Sequence, residues 1–238
     1  MTNPSLLRLL PGNKMRFGGI QKTSLIDFPD RIATVLFVRG CNLHCPFCYN
    51  WRLLSESASP TLSGDDVIKI LESRRRFVNA VVLTGGEPTL QEDIADFVKE
   101  LKQRSFEVKL DTNGLLPDVL EKCLPYLDYV ALDVKTSPEN YYTLGECNVD
   151  NLKHTIELLK NGKVEYEFRN TTVPGLVDEQ SVRKIGALVR GARRFIFQTF
   201  VPGDTLDSQF CNIKPYPTET MNRLAEIMKE YVEDTRIR

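Results

Sequence analysis

The chain has 238 residues, 42% of them hydrophobic and 26% charged, with a formal net charge of −1. That balance fits an ordinary globular protein and excludes a disordered or collagen-like chain. It offers neither the basic surface that nucleic acid demands nor an apolar membrane span, since Leu6-Leu7-Arg8-Leu9-Leu10 is too short and too interrupted.

Apolar, β-branched runs predict strands near 32–38, 80–84, 107–111, 126–133, 164–172 and 194–200. Helical stretches fall between them. Ser63-Gly64-Asp65-Asp66 opens the first, which runs to about Arg75. The second covers 90–103, and Pro117 suits the first turn of the third. Asp150 or Asn151 caps a fourth, with Ile156, Leu158 and Leu159 on its apolar side and Asn161-Gly162 at its end. The fifth and sixth cover 178–189 and 218–231. Strand and helix thus alternate about six times, which implies a parallel sheet covered by helices. No composition shift marks a linker, so one domain is expected.

The most informative run is Gly40-Cys41-Asn42-Leu43-His44-Cys45-Pro46-Phe47-Cys48-Tyr49-Asn50. Three cysteines at this spacing arise by chance with a probability of roughly 0.004 in a chain of this composition. Three thiolates are one fewer than a closed zinc site or a four-iron cluster requires, so one metal would keep an open position. A disulfide framework is disfavoured, because Cys123, Cys147 and Cys211 are scattered and nothing reads as a secretory leader. The same cysteine usage points to a reducing cytoplasm. A zinc site completed by His44 is the other reading, but His44 adjoins Cys45 and is badly placed to join both neighbours on one metal.

Polar motifs follow the strands. Gly85-Gly86-Glu87-Pro88 follows the second, Asp111-Thr112-Asn113-Gly114 the third, Asp133 and Lys135 end the fourth, and Arg169 opens a polar run to Gly175 on the fifth. Any one of these could be turn chemistry. A charged residue at the same end of several strands is harder to explain so, because in parallel barrels the working residues gather at the strand carboxyl ends.

The cysteine triplet followed by Gly85-Gly86-Glu87-Pro88 after a strand resembles the radical S-adenosylmethionine superfamily. Phe47 to Trp51, Leu110 to Gly114 and Leu132-Asp133-Val134-Lys135 resemble its glycyl-radical-enzyme activating branch. The opening from Gly18 to Pro29 and the stretch Thr171-Thr172-Val173-Pro174-Gly175 are similar to activating proteins of anaerobic ribonucleoside-triphosphate reductase. The likeness runs from about Met15 to Pro202. Residues 1–14 read as an extension, with Met15 an alternative start, and 15–238 as the radical SAM domain.

The resemblance implies an α/β fold, a single-domain partial (βα)6 barrel. It implies that Cys41, Cys45 and Cys48 bind three irons of a [4Fe–4S] cluster and that S-adenosylmethionine chelates the fourth. Reductive cleavage then gives a 5′-deoxyadenosyl radical. Gly85, Gly86, Glu87 and Pro88 are expected around the methionine moiety, the two glycines letting backbone approach it and Glu87 or nearby carbonyls accepting from its ammonium. Lys135 or Arg169 is expected on its carboxylate, and Asp133 on a ribose hydroxyl. Asp111 and Thr112 would hold a monovalent cation. Phe47, Tyr49 and Trp51 would shield the cluster. The partners implied are a glycyl radical enzyme, with anaerobic ribonucleotide reductase first, and a flavodoxin- or ferredoxin-type reductant. There are departures. Many relatives carry His at the position of Tyr49. The histidine expected near the last strand is absent, leaving Gln198 for the ribose. Two other readings compete: a radical enzyme acting on a small molecule or peptide, and an electron-transfer iron–sulfur protein. The latter would need a fourth cluster ligand.

Overall fold

Strand alternation gives this protein two chemically different sheet faces. The computed structural model describes residues 15–54 and 62–238, and the expected N-terminal extension lies outside them. Nine strands are present among the described residues: β1 (Arg16–Ser24), β2 (Ala33–Val38), β3 (Leu62–Ser63), β4 (Ala80–Gly85), β5 (Glu107–Thr112), β6 (Tyr129–Asp133), β7 (Glu165–Thr172), β8 (Arg194–Thr199) and β9 (Asp234–Ile237). They form one open sheet in the order β3-β1-β2-β4-β5-β6-β7-β8-β9. From β2 to β9 every neighbour is parallel. β1 runs antiparallel to β2, and β3 antiparallel to β1. The six predicted strands therefore form and pair in chain order. That winding, with helices in the crossovers, is the order of a barrel left unclosed.

The crossovers are α1 (Gly64–Arg74), α2 (Ile94–Gln103), α3 (Pro117–Cys123), α4 (Val149–Asn161) and α5 (Glu179–Leu188), with α6 (Thr218–Met228) leading to β9. Ser63 and Asp66 form a reciprocal cap at α1, as the sequence predicts. Three boundaries differ from expectation. α2 starts at Ile94 because Pro88–Leu90 forms a separate 3-10 turn, capped by the Glu87 side chain. α4 starts at Val149 because Asn148, not Asp150 or Asn151, supplies the capping oxygen. β6 starts at Tyr129 because the preceding Leu124–Tyr126 forms a 3-10 turn around Pro125, which has no N–H for a ladder.

On one face, Leu36, Val38, Leu83, Val108, Leu110, Leu132, Phe168 and Phe197 pack under the helices. Full burial of each such side chain contributes about 1.5–3 kcal/mol, so this layer holds the fold together. The intervening residues face inward. Near the strand amino ends, Ala33, Val35, Ala80, Val82 and Tyr129 form a second apolar cluster with Phe28. Further along, the inner face of β5 to β7 turns charged, with Lys109, Asp111, Glu167 and Arg169 all buried. No helix among the described residues is long and apolar enough to cross a membrane.

Candidate active site at the strand carboxyl ends

The cysteine loop leaves β2 at Gly40, whose φ of +78° is a turn that favours glycine. Two backbone bonds fasten the β4 turn to it: Gly86 N–H donates to the Val38 carbonyl at 3.0 Å, and Glu87 N–H to the Gly40 carbonyl at 2.8 Å. This contact explains the paired glycines. A Cβ on Gly86 would lie 1.9 Å from the Gly40 oxygen, and one on Gly85 2.8 Å from Phe37 Cα. Missing side chains here let two loops of the protein touch, and both glycines also line the cavity described below.

Glu87 is buried inside this junction. Oε1 accepts from Thr89 N–H at 3.0 Å, Thr89 Oγ1 at 2.5 Å and Thr112 Oγ1 at 2.7 Å, while Oε2 accepts from Asn113 N–H at 2.7 Å. Burial pushes its pKa up, and the four donors oppose that. The carboxylate thus ties the end of β4 to the end of β5, rather than reaching out toward a ligand. Asn113 continues the tie, donating to Asn42 Oδ1 at 2.7 Å.

A strap after β8 covers the other side of the cysteine loop. Leu206 N–H donates to the Cys48 carbonyl and Asp207 N–H to that of Pro46. Tyr49 stacks on Phe200 with 6.0 Å between centroids, and its hydroxyl donates to the Val201 carbonyl and accepts from the Val201 N–H. Phe47 meets Phe210 of the strap. Trp51 donates to Asp204, which also pairs with Arg52.

Between these loops and the strand ends lies a cavity of about 180 Å³. Its walls bring together Cys41, Cys45, Cys48, Gly85, Gly86, Glu87, Asp111, Thr112, Asp133 and Lys135 from the sequence reading. Asn50, Asn113 and Thr171, which stood in the sequence motifs without an assigned role, join them together with Thr84. Pro88, Arg169 and Gln198 are not among the wall residues. Pro88 is buried in the 3-10 turn, and Arg169 lies behind the wall in contact with two of its carboxylates.

Those contacts form an alternating ion chain on the inner face. Lys109 Nζ lies 2.6 Å from Asp111 Oδ1, Arg169 spans Asp111 at 3.3 Å and Asp133 at 2.8 Å, and Lys135 Nζ lies 2.9 Å from Asp133 Oδ2. Burial alone would push Asp133 up, but Arg169 and Lys135 outweigh it and hold the carboxyl below its ordinary range. Burial likewise disfavours the Lys135 ammonium, and Asp133 more than compensates, so its pKa is raised. Neither Asp111 nor Thr112 caps a helix. Lys109 is the participant that the sequence reading missed. Its signal was present: a lysine two residues before Asp111 on a strand must share its face.

Burial raises the Cys41 thiol to about 12 and the Cys45 thiol to about 11, and moves Cys48 upward too. Such thiols are inert near neutrality unless a metal displaces the proton. His44 is exposed and outside the cavity wall, which removes it as a zinc ligand. Among the described residues no three His, Cys, Asp or Glu side chains converge on a single ion point. A cluster that gives each thiolate its own iron suits three separated thiols on one wall.

Comparison with known proteins agrees with this geometry. Residues 35–185 match the family model of the radical SAM superfamily. The chain is a member of that superfamily. Radical SAM membership brings a [4Fe–4S] cluster and S-adenosylmethionine, and three thiols beside a cavity that also carries Asp111, Asp133 and Lys135 fit both. A Methanocaldococcus jannaschii protein named as a glycyl-radical enzyme activating enzyme is 33% identical over 235 residues, covering 94% of this chain and 96% of that protein. The pyruvate formate-lyase-activating enzyme of Clostridium pasteurianum is 26% identical, covering 92% of this chain and 98% of its own. Crystal structures of Streptococcus suis SuiB, bound to S-adenosylmethionine or to precursor peptide SuiA, superpose with TM-scores of 0.64 and 0.65 at 16% identity. They cover 83% and 85% of this chain but only 48% and 47% of SuiB, and they bear on the fold alone.

Proposed function

We propose that this radical SAM enzyme is an activase that generates a glycyl radical on a partner enzyme. The observation that carries the reading is the end-to-end likeness, at 33% identity, to a protein named as such an activating enzyme. The opening from Gly18 to Pro29 makes an anaerobic ribonucleotide reductase the first partner to try. A flavodoxin- or ferredoxin-type protein is the reductant of choice. A reducing cytoplasm suits six cysteines that are all free thiols.

When bound, the cluster and S-adenosylmethionine supply a reductively generated 5′-deoxyadenosyl radical, which takes a hydrogen atom from the substrate. The chain's own residues position and enclose. Cys41, Cys45 and Cys48 would hold three irons of the cluster. Lys135 presents its ammonium in the cavity wall, where it can take the methionine carboxylate. Asp133 holds Lys135 and Arg169 in place and keeps lone pairs for a ribose hydroxyl. Glu87 fixes the turn whose backbone oxygens are left to meet the cofactor's ammonium. Leu43 and Phe47 make part of the wall apolar and keep water out.

Lys135→Met and Asp133→Asn should each weaken S-adenosylmethionine binding by about 1.5–3 kcal/mol, the usual worth of a charged hydrogen bond, which is roughly 10- to 100-fold. Iron content should stay at the wild-type level, since neither residue is a ligand. Equilibrium dialysis beside iron analysis checks this, and unchanged affinity in both variants would remove their assigned roles.

For the reaction itself, the reduced enzyme, S-adenosylmethionine and a co-encoded glycyl radical enzyme should give an electron paramagnetic resonance doublet. That doublet should collapse when the partner's glycine carries deuterium at its α-carbon. Formation of 5′-deoxyadenosine without any glycyl signal, across all such partners of the source genome, would overturn the activase reading and leave the radical SAM chemistry standing.

A further inference from the structure

Lys109 is a buried charge with no assigned use. The pleat of β5 puts it on the inner face with Asp111, one layer deeper, and it is 1% exposed. Its ammonium donates to Asp111 Oδ1 at 2.6 Å and to the carbonyl of Asp27 at 2.7 Å, and it lies 5.9 Å from the Tyr129 ring centroid. Asp27 belongs to the β1–β2 connection, which Ser24 braces through its hydroxyl on the Asp27 carboxylate. Leaving a lysine this deep without an anion would cost several kcal/mol, and Asp111 is the anion placed against it.

The ion chain built on this pair has a countable charge. Lys109, Arg169 and Lys135 are cations, and Asp111 and Asp133 are the anions between them. Glu167, on the layer below Arg169, is balanced by Arg238 at 3.3 Å and does not alter the count. These five groups sum to one positive charge, with Glu87 on the neighbouring wall outside the series, and the series ends at Lys135 in the cavity wall. The ammonium at that end suits an anionic group.

The monovalent cation implied by the resemblance at Asp111 and Thr112 does not fit here. Both Asp111 oxygens already face N–H donors, from Lys109 and Arg169. The Thr112 hydroxyl donates to Glu87 at 2.7 Å and accepts from Gly114 N–H at 3.0 Å. A metal ion on Asp111 would compete with a buried ammonium and a guanidinium for the same carboxylate.

We propose that Lys109 is a positioning residue that serves as this site's tethered cation, so that S-adenosylmethionine binding needs no exchangeable monovalent metal. The proposal rests on the reading that the cofactor binds in this cavity. The test uses cluster-loaded, oxidised enzyme, which binds S-adenosylmethionine without consuming it. Affinity is measured by equilibrium dialysis in potassium, sodium or tetramethylammonium chloride at equal ionic strength. Wild type should bind within about twofold in all three salts. Lys109→Met should bind about tenfold or more weakly in tetramethylammonium and recover in potassium or sodium, with a bound ion visible as ²³Na line broadening absent from wild type. Lys109→Arg should keep the wild-type indifference to salt.

A wild type that loses about tenfold or more in tetramethylammonium would overturn the proposal, and needs no variant to fold. A folded Lys109→Met enzyme that is weaker in every salt, with no ion response, would also overturn it in favour of a purely structural lysine. Failure of the underlying cofactor reading looks different: Lys135→Met and Asp133→Asn would then bind as tightly as wild type in every salt.

Discussion

Replacing any one of Cys41, Cys45 and Cys48 by alanine will take the reconstituted protein from about four irons per chain to less than about one, while Cys123→Ala, Cys147→Ala and Cys211→Ala retain the full complement. The first three line one cavity wall. The others are placed elsewhere: Cys123 is buried among the helices, and the Cys147 thiol donates to the Tyr141 carbonyl. Cys211 is the sharpest control, because the strap that bears it lies over the cysteine loop, yet its sulfur sits 3.6 Å from Thr205 Oγ1 and outside the cavity. Anaerobic iron and sulfide analysis with visible absorption decides the matter. A triplet variant with full iron, or a Cys211→Ala protein without it, would require a different ligand set.

The parallel strands and the site's position were legible in the sequence because they rest on local signals. Each strand is a β-branched run, and each polar motif follows such a run directly. β1, β3 and β9 were not legible. β1 reads Arg-Phe-Gly-Gly-Ile-Gln-Lys-Thr-Ser, with two glycines and no clean alternation, and gains its structure by pairing with β2. β9 is four residues long and mostly polar, and exists because β8 offers it an edge. The cysteine triplet announced itself by type and spacing. The roles of Glu87 and Lys109 did not, because they depend on partners far away in the chain. Lys109 meets a carbonyl 82 positions distant, and Glu87 takes a hydrogen bond from an N–H 26 positions distant. Glu87 lies on the cavity wall, and only the fold shows its oxygens turned into the protein. Such long-range contacts also explain why the loop contact of the glycine motif was not legible. A missing side chain tells that something comes close, but not whether the visitor is a ligand or another loop.

That distinction gives the second large effect. Gly86→Ala will destabilise the protein by about 3 kcal/mol or more and cut its cluster loading severalfold, whereas Gly203→Ala will change stability by less than about 0.5 kcal/mol. The added Cβ at position 86 would sit 1.9 Å from the Gly40 oxygen, with the Gly40 carbonyl carbon at 2.8 Å. Both are backbone atoms, so no rotamer change relieves the clash and the loops must part. Parting breaks the Gly86 to Val38 and Glu87 to Gly40 hydrogen bonds, each worth about 1 kcal/mol net, on top of the overpacking strain. At Gly203 a Cβ meets nothing within 4 Å. For a chain of this size, 3 kcal/mol corresponds to a fall of about 6–12 °C in the midpoint of thermal unfolding. Measuring that midpoint on metal-free protein isolates the loop contact from the metal. A Gly86→Ala protein as stable as wild type before reconstitution, but deficient only in S-adenosylmethionine binding afterwards, would return the glycine to the cofactor and refute the loop-packing account.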